Sequence, residues 1–347
     1  MNITSILGAG SIATLASAAL AQDADLVVFD YAGFEIPAYH ASYAALHGTG
    51  PTFSFFGDED EAFQKVTSGF RADVSHICAG SVTRWIEAGI LQPWDTTRIP
   101  AFADLDPALQ EGATGADGQV YFIPTDWGST GVIYNTDQVT QAQVASLQIF
   151  ADPALAGRLS VPDNVDDTWA LAFLATGVTS TANATEAQIV VAADWLRMIH
   201  PNLRTYWTDP AELAQLMATG EILAAWAWNE TYPTLQGEAV PVGFQREAAE
   251  GSSVWYCGLV NMANGAGSED KAYDYVNAFI DPATTMSLVE NGWGHANLTA
   301  MTAQITPEAL LAVGLSHIVA PINPQAPMSQ ALRERLAEEF ELIKSGF

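Results

Sequence analysis

The stretch Tyr121-Phe122-Ile123-Pro124-Thr125-Asp126-Trp127-Gly128-Ser129-Thr130-Gly131-Val132-Ile133-Tyr134-Asn135-Thr136-Asp137 says more about the fold than any other. A strand-like run enters a bend marked by Trp127, Gly128 and Gly131 and leaves as a second run, Val132-Ile133-Tyr134. Strand, bend and strand in that order carry a chain from one lobe to another past a ligand cleft. At 347 residues the chain also exceeds what one hydrophobic core usually organises, so two lobes are expected.

Outward from this stretch, strand-like runs alternate with helical patterns. Residues 26–29 and 52–56 read as strands, a helix starts near Asp58 with Ala62, Phe63 and Val66 on one face, and residues 73–77 read as the next strand. Thr185 and Gln188 have capping-box spacing and open a helix that turns Ile189, Ala192, Ala193, Leu196 and Ile199 inward until Pro201 stops it. Residues 221–228 read as a strand buried on both faces, 240–244 and 256–262 as two more, and Ser268 and Ser329 open the last helices. The pattern is α/β, in which ligands sit at the carboxyl ends of strands: here Asp30-Tyr31, residues 77–80 and residues 124–127.

Composition narrows the partners. Acidic residues outnumber basic ones 40 to 12, a formal net charge of -28 that excludes nucleic acid and anionic membranes and admits a cationic or zwitterionic ligand. Most of these carboxylates read as a solvated coat. Residues 6–20 form a short apolar run before Ala19-Leu20-Ala21, an export signal with cleavage expected after Ala21, although no Lys or Arg precedes it. In the oxidising compartment that export implies, Cys78 and Cys257 either pair or stay buried thiols, and neither has a Cys or His at metal-ligand spacing.

Enzymatic signatures are missing: no phosphate-binding G-x-x-x-x-G-K-[ST], no H-E-x-x-H, no G-x-S-x-G and no dinucleotide cofactor motif, while the six histidines are scattered. The ten tryptophans and ten tyrosines stand out instead. Trp127, Trp228, Trp255, Tyr256 and Trp293 fall in strand-end or loop positions beside Gly, Asn, Asp or Ser, where an aromatic cage for a cation gains about 0.5–2 kcal/mol per ring face.

With Phe29-Asp30-Tyr31-Ala32-Gly33-Phe34-Glu35-Ile36-Pro37 near the start and Ala225-Trp226-Ala227-Trp228-Asn229 later, the opening stretch resembles the extracytoplasmic solute-binding proteins of ABC importers, specifically the spermidine/putrescine-binding family. The resemblance covers most of the chain beyond the export signal. It implies a two-lobed periplasmic binding protein fold (type II-like), each lobe a mixed sheet flanked by helices, that captures a small ligand by hinge closure without catalysis. It also implies a periplasmic monomer that docks on ABC permease subunits. Lobe one is expected from 22–132 and 256–298 and lobe two from 135–250 and 303–347, with crossings near 132–135, 250–256 and 298–303. Rival expectations are a ligand sensor or a secreted enzyme, the latter requiring a pair such as His295 facing Asp167.

In that family aromatic rings sandwich the amine and carboxylates pair its ammonium ends. The aromatic part maps onto Tyr31, Phe34, Trp228 before Asn229, Trp255, and Trp293 after Gly292. The acids map less well: the pair three apart becomes Asn164 and Asp167, and the Asp two residues after the post-linker Trp becomes Cys257. A primary ammonium carries three N–H donors, and leaving one unpaired costs about 1–3 kcal/mol. The surviving set therefore favours a methylated onium compound, of the dimethylsulfoniopropionate, glycine betaine or choline type, with Asn164, Asn229 and backbone near Gly128 left for any anionic end. A register shift of one or two residues in the acidic turn would restore Asp163 or Asp166 as partners, and with them a polyamine.

Overall fold

Residues Phe122–Asn135 run as one strand of 14 residues, every one of them buried. The bend expected at residues 127–131 is absent, and its glycines answer a different need. A Cβ on Gly128 would lie 2.0 Å from the Trp255 indole and 2.8 Å from Asn229 Oδ1, and one on Gly131 would lie 2.8 Å from the Gln245 carbonyl oxygen. Glycine is there because a ring and a neighbouring backbone lie directly on the strand.

The computed structural model describes residues 22–110, 112–178, 180–315 and 322–347; the expected export signal, residues 1–21, lies outside the described residues. The strands are β1 Asp23–Tyr31, β2 Pro51–Phe56, β3 Val74–Cys78, β4 Leu91–Gln92, β5 Phe122–Asn135, β6 Leu159–Pro162, β7 Leu203–Trp207, β8 Ala224–Trp228, β9 Val242–Gln245, β10 Ser252–Met262, β11 Gly294–His295 and β12 Ile322–Pro324. They pair in the order β2-β1-β3-β10-β5-β8-β6-β7. Strands β2, β1 and β3 are parallel, as are β8, β6 and β7, and antiparallel β10 and β5 join the two groups.

Two cores lie along this path, and β5 belongs to both. Its first half places Phe122, Ile123 and Trp127 in a core with β1, β3 and β10. In its second half successive side chains take opposite faces: Val132 and Tyr134 enter a second core with Trp169, Leu196 and Trp226, while Ile133 packs with Trp207, Ala225 and Ala227 on the other side of the sheet. The C-terminal helix Gln330–Lys344 packs Leu336 and Ile343 into the second core. Leu310 and Leu315, expected with the second lobe, sit in the first core.

The local signals produce the elements read from them. Asp58, Thr185, Ser268 and Ser329 each cap a helix, and Thr185 with Gln188 forms the full capping box. Two devices fix the strand ends. Cys78 and Cys257 sit directly opposite each other on β3 and β10 and form a disulfide that closes a sequence separation of 179. Beside it His76 bridges Asp30 Oδ1 at 2.8 Å and Asp126 Oδ1 at 2.9 Å, all three side chains fully buried, so that β1, β3 and β5 are tied at one level.

Burial disfavours a charged imidazole, yet the two flanking carboxylates outweigh it and push the His76 pKa up from 6.5 to about 10. Because the folded value lies above the unfolded one, the stability His76 contributes is whole below about pH 6.5 and is lost as pH rises toward 10. His76→Gln leaves two buried carboxylates without their cation and should cost about 3–5 kcal/mol in urea denaturation at pH 7, with a smaller penalty near the upper end of that window.

Candidate ligand cleft

The strand ends converge on residues 126–130 of β5. Opposite them in register lie Cys257 and Trp255 on β10, Trp228 on β8 and Gly294 on β11. The carboxyl ends of β1 and β3 bring Tyr31 and Cys78 to the same level through the Cys78–Cys257 pairing.

An aromatic row lines this level. Trp255 meets Trp293 edge to face with centroids 5.4 Å apart, Trp293 stacks on Phe34 at 5.8 Å, and Phe34 lies 6.4 Å from Tyr31. Trp228 abuts Trp207 with centroids 4.9 Å apart, in the cluster around Ile133 on the face of the sheet opposite the second core. Phe34 is buried, whereas Tyr31, Trp228, Trp255 and Trp293 keep part of their surface open. The Trp255 Nε1 is buried and has no hydrogen-bond partner among the described residues.

Asp167 is the acid of this level that sequence reading identified. Its Oδ1 accepts hydrogen bonds from Thr130 Oγ1 at 2.7 Å and Gln325 Nε2 at 2.6 Å, and its Oδ2 accepts one from Trp228 Nε1 at 2.8 Å. Burial raises its pKa although these three donors pull the other way.

Five of the expected site residues serve other purposes. Asn164 caps the helix Val165–Ala175, its side chain accepting from the Asp167 N–H at 3.0 Å. Asn229 is fully buried: it accepts from the Ser129 N–H and donates to the carbonyls of Gly292 and Val313, stitching β8 to the segment before Trp293. Tyr256, one position from Trp255 and so on the opposite face of β10, packs edge to face on Phe122 in the first core. Trp127 likewise lies in the first core, flat on Gly294, with its Nε1 donating to the His295 carbonyl at 3.3 Å. Cys257 is held in the disulfide. His295 pairs with Thr285 at 2.7 Å and lies beside Asp126 in the sheet rather than facing Asp167. The alternative register is closed as well, since Asp163 pairs with Lys344 and Asp166 with Arg333.

Two acids join the level unannounced. Glu230 follows Trp228 and Asn229 at the end of β8 and packs toward Gly292, where an added Cβ would lie 3.5 Å from its own Cβ. Its Oε2 is buried with no hydrogen-bond partner among the described residues. Burial first, and the negative charge of Asp167 second, push its pKa up to about 8. Glu59 starts the helix Glu59–Thr67; its Oε1 accepts from the Tyr31 hydroxyl at 3.0 Å and from the Cys78 N–H. Burial pushes its pKa up to about 7, against the pull of Arg84 and the Cys78 N–H. The signal for Glu230 was its place directly after Trp228-Asn229, whereas Glu59 is indistinguishable in sequence from an ordinary first-turn acid, and Gln325 arrives from a segment far along the chain.

Two cores sharing continuous strands, with aromatic rings and carboxylates gathered at the strand ends between them, define a binding protein of the two-lobed α/β class. Residues 38–308 match the family model described as bacterial extracellular solute-binding protein, and the chain belongs to that family: it is an extracytoplasmic, non-enzymatic solute-binding component of an ABC importer. The chain is similar to the putrescine-binding periplasmic protein PotF of Escherichia coli K12, at 23% identity over 300 residues covering 81% of this chain and 78% of PotF. Its fold is shared with the Tp0655 (TpPotD) lipoprotein of Treponema pallidum, at TM-score 0.76 and 17% identity over 92% of this chain and 99% of that one. It is shared also with MotA from A. tumefaciens B6 in complex with glucopine, at TM-score 0.73 and 17% identity over 92% and 99%.

Glu230 has a consequence for the unliganded protein. Its folded pKa of about 8 lies above the ordinary 4.5, so the unfolded chain gives up that proton first and stability falls as pH rises from about 4.5 to 8. Glu230→Gln removes this loss. The variant should be more stable than the parent by roughly 1–3 kcal/mol in denaturant melts above pH 8 and no more stable near pH 4.5.

Proposed function

We propose that this chain captures a small aliphatic amine with N–H-bearing cationic ends, of the putrescine class, and delivers it to the permease of an ABC importer. The observation that carries this reading is the buried, unpartnered carboxylate oxygen of Glu230 at the level of the aromatic row. A carboxylate there lacks a cation, and an ammonium group brings both charge and N–H donors.

The expectation of a methylated onium ligand rested on the loss of two family acids. Glu230 and Glu59 return two carboxylates from positions other than those lost: Glu59 accepts from the Tyr31 hydroxyl, Glu230 packs against Gly292 next to Trp293, and Asp167 accepts from Trp228. Ring faces gain energy from either kind of cation, but only an N–H cation also satisfies the oxygens. That PotF is named as a putrescine-binding protein supports the same choice. Lobe one around the first core and lobe two around the second would close on the amine by rotation about β5 and β10, the hinge repertoire of such proteins.

Calorimetric titration with putrescine, agmatine, spermidine, choline, glycine betaine and dimethylsulfoniopropionate tests this. Amines should bind and methylated compounds should not. Glu230→Gln should weaken the amine by about 10–100-fold, the loss of one charge-assisted pairing, and Trp255→Ala by a similar factor. Tight binding of a methylated compound, unaffected by Glu230→Gln, would restore the onium reading.

A further inference from the structure

Arg333 joins the two halves of the molecule through ion pairs with Asp166 and Asp60. It lies on the helix Gln330–Lys344, anchored in the second core by Leu336 and Ile343, and is only 7% exposed. Its Nη1 donates to both carboxylate oxygens of Asp166, at 3.0 and 2.8 Å, in the first turn of the helix Val165–Ala175. Its Nε lies 3.5 Å from Oδ1 of Asp60. Asp60 belongs to the other half: it sits in the helix Glu59–Thr67, whose Ala62 and Val66 pack in the first core. The buried Arg84 of the helix Ala79–Glu87 pairs with the same Asp60 oxygen and bonds the Glu59 carbonyl at 2.9 Å.

The approach is close on both sides. A Cβ on Gly80 would lie 2.9 Å from Asp166 Oδ1, so the helix that starts at Ala79 touches the one that starts at Val165. The ion pair adjoins the ligand level directly, because Glu59 precedes Asp60 and bonds Tyr31, and Asp166 precedes Asp167.

We infer that Asp60, Arg333 and Asp166 form a latch that holds the two lobes closed and sets the rate of ligand release. Arg333 and Asp166 stay together within lobe two, and the Asp60 contact is made and broken as the cleft shuts and opens. The inference rests on the capture reading for its closing motion, and not on which ligand is captured.

Stopped-flow tryptophan fluorescence of putrescine release tests it. Asp60 has a side chain 54% exposed, so Asp60→Asn is a surface change. Asp60→Asn and Arg333→Gln should each raise the dissociation rate by about tenfold with the association rate nearly unchanged. The double variant should be no faster than the singles, since both break one contact. Arg333→Lys should restore part of the slow release. Raising salt from about 0.05 to 0.5 M should speed release from the parent and leave Asp60→Asn unmoved. Unchanged dissociation rates, or effects that add in the double variant, would overturn the latch. Should no compound of the titration panel bind, the amine reading fails separately, and the latch is read from small-angle scattering of the unliganded protein. At low salt the parent should be more compact than Asp60→Asn, and identical curves would overturn it.

Discussion

Everything in this molecule hangs on β5 being buried from end to end while belonging to two cores. A strand 14 residues long with no exposed position cannot bend toward solvent, so both groups of parallel strands must be built against it. That requirement places the ends of β1, β3, β8 and β10 around its middle residues, and it puts a premium on small residues there. Gly128 accepts the Trp255 ring and Gly131 accepts the backbone near Gln245. The buried bridge from Asp30 through His76 to Asp126 then fixes how far the strands can shift against one another.

The cleft that results is costly in its unliganded form. Three carboxylates sit in or near low-dielectric surroundings, and burial raises the pKa of each. Asp167 has three protein donors to relieve it, and Glu59 has the Tyr31 hydroxyl and the Cys78 N–H. Glu230 lacks such relief at Oε2, so a cation arriving there gains more than it would from an acid already satisfied. The arginines nearby, Arg84 and Arg333, pair directly with Asp60 and Asp166, and their charge also favours the ionised form of Glu59.

Much of the fold was legible because it is written locally. Caps such as Thr185 with Gln188, and alternation such as Val132 against Ile133, follow from backbone geometry within a few residues. The misread bend marks the limit of that logic. Glycine beside tryptophan signals either a turn or a close approach, and what separates them is a ring on a strand more than a hundred residues away. Trp255 and Tyr256 could not both face the cleft, since neighbours on a strand point to opposite sides, so the burial of Tyr256 was within reach of the sequence. The acids were harder. At two positions where the family carries acids this chain has Asn164 and Cys257. Glu59 and Glu230 return the charge from a helix start and from the residue after a motif, a compensation visible only once the strand ends are brought together.

In the proposed complex the Glu230 carboxylate pairs with a cation carried in by the ligand. A group with a pKa near 8 is mostly protonated at pH 7, and pairing with a cation must drive that proton off. Calorimetry of amine binding in two buffers that differ in ionisation heat counts the protons directly. About one proton should be released per bound amine at pH 7, with most of that release gone in Glu230→Gln. Binding without proton release, or with the same release from Glu230→Gln, would contradict it.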